Sequence, residues 1–89
     1  MQLKTIYTVS GETVAVANQW AAETERRATT ISSSAWAYSG SGVLSSATLV
    51  TPLTGTRLAA TGSGVLKNTV TLANGEVLIA ERLITVSQI

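Results

Sequence analysis

Along most of the chain, apolar residues recur at alternate positions in short runs closed by Gly, Ser, Asn or Pro at intervals near ten residues. Strands that each bury one face in a sandwich or barrel are expected to read this way. The first run extends from Leu3 to Val9 and stops at Ser10-Gly11; the second, Val14 to Ala17, sets Val14 and Val16 on one face. Asn18-Gln19-Trp20 then leads into Ala21 to Arg27, the one stretch of helical character, which is too short to hold a helix by propensity alone. From Thr29 to Tyr38 the alternation places Ser32, Ser34 and Trp36 on one face and Ile31, Ser33 and Ala35 on the other, making Trp36 the expected plug of the core.

The second half continues the pattern. Ser39-Gly40-Ser41-Gly42 offers neither packing nor a preferred backbone well and is expected to be a loop. Leu44 to Val50 is a strand; Pro52, which cannot donate a ladder hydrogen bond, marks a turn or edge; Thr56 to Ala60 pairs again before Gly62-Ser63-Gly64. Both Gly/Ser breaks are expected to be free to move. Leu66 to Ala73 and Glu76 to Val86 flank Asn74-Gly75, a dipeptide that accepts positive φ and so signals a hairpin. Leu66, Val70 and Leu72 share the core face of the first of these strands, opposite Lys67, Thr69 and Thr71, and Ile84 joins the expected core from the second. The expected architecture is an all-β, immunoglobulin-like antiparallel β-sandwich of about seven strands, one domain over residues 1–89 with a short charged connector at 21–27. A small β-barrel is the alternative.

Composition narrows what such a domain can do. The chain has 89 residues and no Cys, so no disulfide supplements a core of this size. Net charge is +1 and charged residues make up 12%, while Ser and Thr supply 24 of the 89 positions. That balance points to neither nucleic acid nor a membrane. A neutral, hydroxyl-rich surface promotes association and suits a subunit that remains docked, although Thr also favours strands for its own sake. The N-terminal Met1-Gln2-Leu3-Lys4 lacks the apolar run of a signal peptide, and no apolar stretch approaches a membrane span. Synthesis and assembly in a cytoplasm are expected.

The chemical inventory is nearly empty, with no His, Cys or Asp. General acid–base and nucleophilic catalysis would fall to Glu12, Glu23, Glu25, Glu76 and Glu81 with hydroxyls, and a solvated role for these carboxylates is the simpler reading. No catalytic residue, cofactor or metal ligand is expected, since zinc draws on Cys and His and calcium on clustered Asp and Asn. Gly40-Ser41-Gly42 and Gly62-Ser63-Gly64 lack the Lys and following helix of a phosphate loop. Candidate interface residues are Trp20 and the pair Arg26-Arg27 beside the connector, with Leu3, Ile6, Tyr7 and Ile89 near the termini. For Trp20 core packing and ligand stacking both remain open, as do solvation and docking for the arginines.

The order Gln19-Trp20-Ala21, a short charged connector, and Thr30-Ile31-Ser32-Ser33-Ser34-Ala35-Trp36 resembles small tailed-bacteriophage virion proteins with an immunoglobulin-like fold. The likeness continues through Lys67-Asn68-Thr69-Val70-Thr71, Asn74-Gly75-Glu76 and Leu83-Ile84-Thr85-Val86, and covers Val14 to Val86. Asn18 and Glu23 stand near the first tryptophan, where such proteins usually carry Asp. The resemblance implies a virion structural subunit, a neck or tail adaptor that attaches fibres, with capsid decoration as a neighbouring role. It implies portal, neck, tail, fibre or capsid proteins as partners, several copies in a symmetric assembly, and no reaction. A module recognising a glycan or receptor through the Gly/Ser loops and Trp20 is the reading from a different class.

Overall fold

Wherever the sequence alternates, the chain forms strands: β1 (Ile6–Val9), β2 (Thr13–Gln19), β3 (Ile31–Tyr38), β4 (Gly42–Val50), β5 (Leu53–Ala60), β6 (Gly64–Leu72) and β7 (Val77–Ser87). A short helix, α1 (Ala21–Arg26), joins β2 to β3. The structure is a computed structural model that describes residues 2–88. Two sheets form, with strand orders β1-β7-β6-β3 and β2-β5-β4. These are the C-F-G and B-E-D groupings of an immunoglobulin-like sandwich, with β1 added beside the last strand. The barrel alternative falls, because the two sheets share no strand.

Three elements depart from the expected pattern, each for a local reason. β1 pairs in parallel with β7 from Ile6 opposite Ile84 to Val9 opposite Ser87, so the sandwich is not wholly antiparallel. Its pairing begins at Ile6 because the ladder is interrupted after Gln2 opposite Glu81, where four steps of one strand face three of the other. In β3 a bulge between Ile31 and Ser33 shifts the phase, so Ile31 enters the core while Ser33 and Ala35 stay exposed. At the last hairpin, positive φ is confined to Gly75. Asn74 instead acts through its side chain, accepting from the Glu76 N–H at 3.0 Å, while the Gly75 N–H closes the turn on the Leu72 carbonyl at 2.9 Å.

The two Gly/Ser breaks pack against one another. A Cβ on Gly64 would lie 2.4 Å from the Gly40 nitrogen, and one on Gly40 would lie 2.6 Å from the Ser63 carbonyl, so both positions require glycine for close backbone approach. The Tyr38 hydroxyl donates to the Gly62 carbonyl, and Ser39 Oγ accepts from the Val65 N–H at 2.8 Å. What read as loose punctuation is the hydrogen-bonded end of the sandwich.

Between the sheets lie two apolar clusters. Val16, Leu58, Ala60, Leu66 and Ile84 form the first; Trp20, Ile31, Val70, Leu72 and Ala80 form the second. The inward position between them is polar on four strands: Asn18 on β2, Thr54 on β5, Asn68 on β6 and Arg82 on β7. Asn68, fully buried, is the hub. Its Oδ1 accepts from Thr54 Oγ1 at 2.7 Å, Asn18 Nδ2 at 3.2 Å and Trp20 Nε1 at 3.3 Å. Its Nδ2 donates to Ser34 Oγ at 2.9 Å and the Ala35 carbonyl at 3.1 Å. Trp20 Nε1 also donates to Thr54 Oγ1 at 3.1 Å. Arg82 extends the layer outward, donating to Asn18 Oδ1 and the Lys4 carbonyl, each at 2.9 Å.

Truncating the hub strands two donors, Thr54 Oγ1 and Asn18 Nδ2, while Trp20 Nε1 keeps Thr54 Oγ1, and each orphaned buried group costs about 1–3 kcal/mol. Asn68→Ala is therefore expected to lower the unfolding free energy by about 2 kcal/mol or more, measured as a fall in the urea midpoint at unchanged slope. A loss under about 1 kcal/mol would show that the layer contributes little.

Candidate functional site

The charged connector folds into a cluster that holds itself. Just before the helix, Gln19 Oε1 accepts from the Ala21 N–H at 3.0 Å. Thr24, on its buried face, donates from Oγ1 to the Ala21 carbonyl at 3.1 Å. Arg27 bridges two elements, pairing with Glu23 one turn back and with Glu76 beside the β6–β7 hairpin at 3.1 Å. Arg26 also reaches Glu23, at 2.5 Å. The hydrogen bond from Arg27, and after it the charge and hydrogen bond of Arg26, hold the Glu23 carboxyl below its ordinary 4.5 despite opposing desolvation. Glu76 is lowered by the Arg27 guanidinium and then by Asn74. As a docking pair the arginines divide: Arg27 is engaged within the fold, and Arg26 remains on the surface with its side chain 68% exposed.

The two tryptophans differ in burial. Trp20, a candidate interface residue, is only 1% exposed, because its indole fills the second apolar cluster and its N–H enters the polar layer. It offers no stacking platform to a glycan. Trp36, the expected core plug, packs on the first cluster but is half-buried. Opposite it β4 bulges between Ser45 and Thr48, with Ser46 at φ 53°, leaving a cleft of about 260 Å³ lined by Ser34, Trp36, Leu44 and Thr56. The Trp36 Nε1 is buried without a hydrogen-bond partner among the described residues. Val70, Leu72 and Ile84 are buried, as the alternation places them. Of the terminal candidates, Leu3 and Ile6 are half-buried against the two clusters, Tyr7 is 78% exposed, and Ile89 lies outside the described residues.

The larger surface feature is one that the sequence reading did not single out. Inward positions of β7 are Leu78, Ala80, Arg82, Ile84 and Val86; the outward ones are therefore Val77, Ile79, Glu81, Leu83 and Thr85. Val77, Ile79 and Leu83 are each about half exposed, at 56%, 44% and 46%. Across β6 they face Thr71, Thr69 and Val65, and across β1 Tyr7 stands beside Thr85. Small residues continue the face on β3, where Ala35 and Ala37 lie opposite Thr69 and Lys67. Lys67 and Glu81, directly opposite one another, are the charges in this field. A shallow hollow of about 400 Å³ surrounds them, lined also by Ala37, Tyr38, Ser39 and Val65.

An isolated exposed apolar side chain needs no explanation, whereas several on one sheet face, here interrupted by Glu81, make that face a candidate contact surface. The outer face of β2-β5-β4 differs in kind. Its centre is Arg57 among Ala15, Ala17, Gly55, Ser45 and Thr48, and its exposed apolar residues are split between Val43 at one end and Val50 with Leu53 at the other. Among the described residues, no group of His, Cys, Asp or Glu is placed to hold a metal ion, and no helix is long and apolar enough to cross a membrane.

Compared with protein-family models, with curated proteins and with solved structures, the chain matches none of them.

The Arg27 bridge sets a pH dependence with a definite sign. Depressed carboxyl pKa values contribute stability that is present above the unfolded value of 4.5 and is lost as pH falls through the folded values. In the intact protein the Glu23 and Glu76 side-chain carboxyls are expected to titrate below 4.5 by carbon-detected NMR, and in Arg27→Gln to move up toward it. Unmoved titrations in the variant would show that the bridge is not formed.

Proposed function

We propose that this chain is a structural subunit of a tailed-bacteriophage virion, an adaptor of the neck or tail that joins components by docking and performs no reaction. The docking part is carried by the Val77, Ile79 and Leu83 row on the outer face of β7. The virion part is supported by the resemblance of the segments around Gln19-Trp20-Ala21 and Thr30 to Trp36. In this reading the partners are other virion proteins at the portal, neck, tail, fibre or capsid, and the subunit resides in the particle after assembly in the host cytoplasm.

Magnitudes favour repeated copies. Burying a Val, Ile or Leu side chain completely is worth about 1.5–3 kcal/mol, and these three are already half covered. The row therefore contributes on the order of 3 kcal/mol per copy before the cost of association, too little to hold one isolated subunit tightly. Copies arrayed on a symmetric particle bind with the effective concentration of their neighbours, which offsets that weakness.

Leu83→Asp places a charge in the row without touching either core cluster. The variant is expected to keep its thermal midpoint within about 3 °C yet be missing from purified particles of the phage that encodes it, as read by quantitative mass spectrometry. Wild-type protein absent from those particles would overturn the virion reading. Leu83→Asp present at wild-type copy number would overturn the assignment of the face. Wild-type copies distributed over the capsid would make the subunit a decoration protein in place of an adaptor.

A further inference from the structure

We propose that the outer face of the β1-β7-β6-β3 sheet pairs with the same face of a second copy of this chain about a two-fold axis. The axis lies between the stacked sheets, along the strands, midway between β6 and β7. This inference rests on the reading of that face as a docking surface and names its partner.

Charge selects the partner. Lys67 on β6 and Glu81 on β7 are directly opposite, yet the ion pairs among the described residues join only Glu23, Arg26, Arg27 and Glu76. Lys67 and Glu81 thus stand side by side as opposite charges with no close ion-pair contact between them, in an otherwise apolar and hydroxyl-bearing field. A rotation about an axis along the strands stacks β7 of one copy over β6 of the other, which places Lys67 over the partner's Glu81 and Glu81 over the partner's Lys67. The other two-fold arrangement centred on this row, with its axis across the strands at the level of Lys67 and Glu81, stacks Lys67 on Lys67 and Glu81 on Glu81 and is repulsive.

The same rotation disposes the apolar groups. It brings Leu83 over Val65, at the rim of the hollow around the charge pair, and sets Ile79 over Thr69 and Val77 over Thr71. Ala35 and Ala37 leave room on the flank of β3. Tilting the axis by about 15° gives the angle near 30° at which sheets pack face to face. With standard strand spacings the field from β1 to β3 and from Val77 to Thr85 measures roughly 14 by 27 Å, about half the area that a standard interface takes from each partner. The pair is accordingly expected to be weak and transient.

Sedimentation of the full chain up to about 1 mM tests the proposal. The wild type is expected to show a reversible monomer–dimer equilibrium. Lys67→Glu and Glu81→Lys are each expected to weaken it about tenfold or more, and the double exchange Lys67→Glu/Glu81→Lys to restore it to within about threefold. Thermal midpoints confirm folding; should a reversal fail to fold, Lys67→Gln and Glu81→Gln are expected to weaken the dimer severalfold in its place. A monomeric wild type, single exchanges without effect, or a double exchange that does not restore pairing would each overturn the proposal. The two readings fail separately: a monomeric wild type whose Leu83→Asp form is lost from particles keeps the docking face and removes the second copy as its partner, whereas a dimer absent from particles keeps the pair and removes the virion role.

Discussion

The carboxamide of Asn68 is the contact on which the rest of the structure depends. It sits fully buried between two apolar clusters and joins β6 to β2, β3 and β5, with Trp20 held at the same oxygen. A purely apolar core would tolerate small slips of one sheet over the other, because hydrophobic contact is non-directional. This layer does not. A one-residue slip of β6 would turn Asn68 to solvent, bury Lys67 and leave the donors of Asn18 and Thr54 unpaired.

That registry propagates outward to the surface. With Asn68 fixed inward, Lys67 and Thr69 must face out, and the pairing of β6 with β7 then turns Glu81, Ile79 and Leu83 to the same side. Trp20, anchored by its indole N–H, fixes the start of α1, and α1 carries Arg27 to Glu76 beside the final hairpin. Arg82 ties the segment before β1 to the same layer through the Lys4 carbonyl. Which residues line the exterior of the four-stranded sheet thus follows from polar bonds in the interior.

Much of the fold was legible because it depends on period-two alternation and on turn residues. Leu66, Val70 and Leu72 on one face, the hairpin near Asn74-Gly75 and the break at Pro52 all appear where local chemistry places them. What escaped depends on context outside any local window. Trp36 alternates as a core residue should, but the bulge in β4 leaves it half covered. The Gly/Ser segments look like punctuation, and only the folded chain brings Gly40 against Gly64. The polar layer left a signal that was there to be found: Asn18 stands between Val16 and Trp20, Asn68 between Leu66 and Val70, and Arg82 between Ala80 and Ile84, each interrupting an inward row. The exposed row was equally present as the complement of Ala80 and Ile84 on β7. Exposed apolar residues on a strand are easily assigned to the core, because alternation fixes relative faces and not which one is buried.

The central proposal is that the outer face of the four-stranded sheet is the docking surface of this chain. Cryo-electron microscopy of the assembled particle at side-chain resolution tests it most directly. The expected density shows Val77, Ile79 and Leu83 covered by a neighbouring subunit, with the β2-β5-β4 face turned away from that contact. Density in which those three side chains face solvent while Arg57 and its sheet, or the Gly/Ser loops, make the contact would contradict the claim.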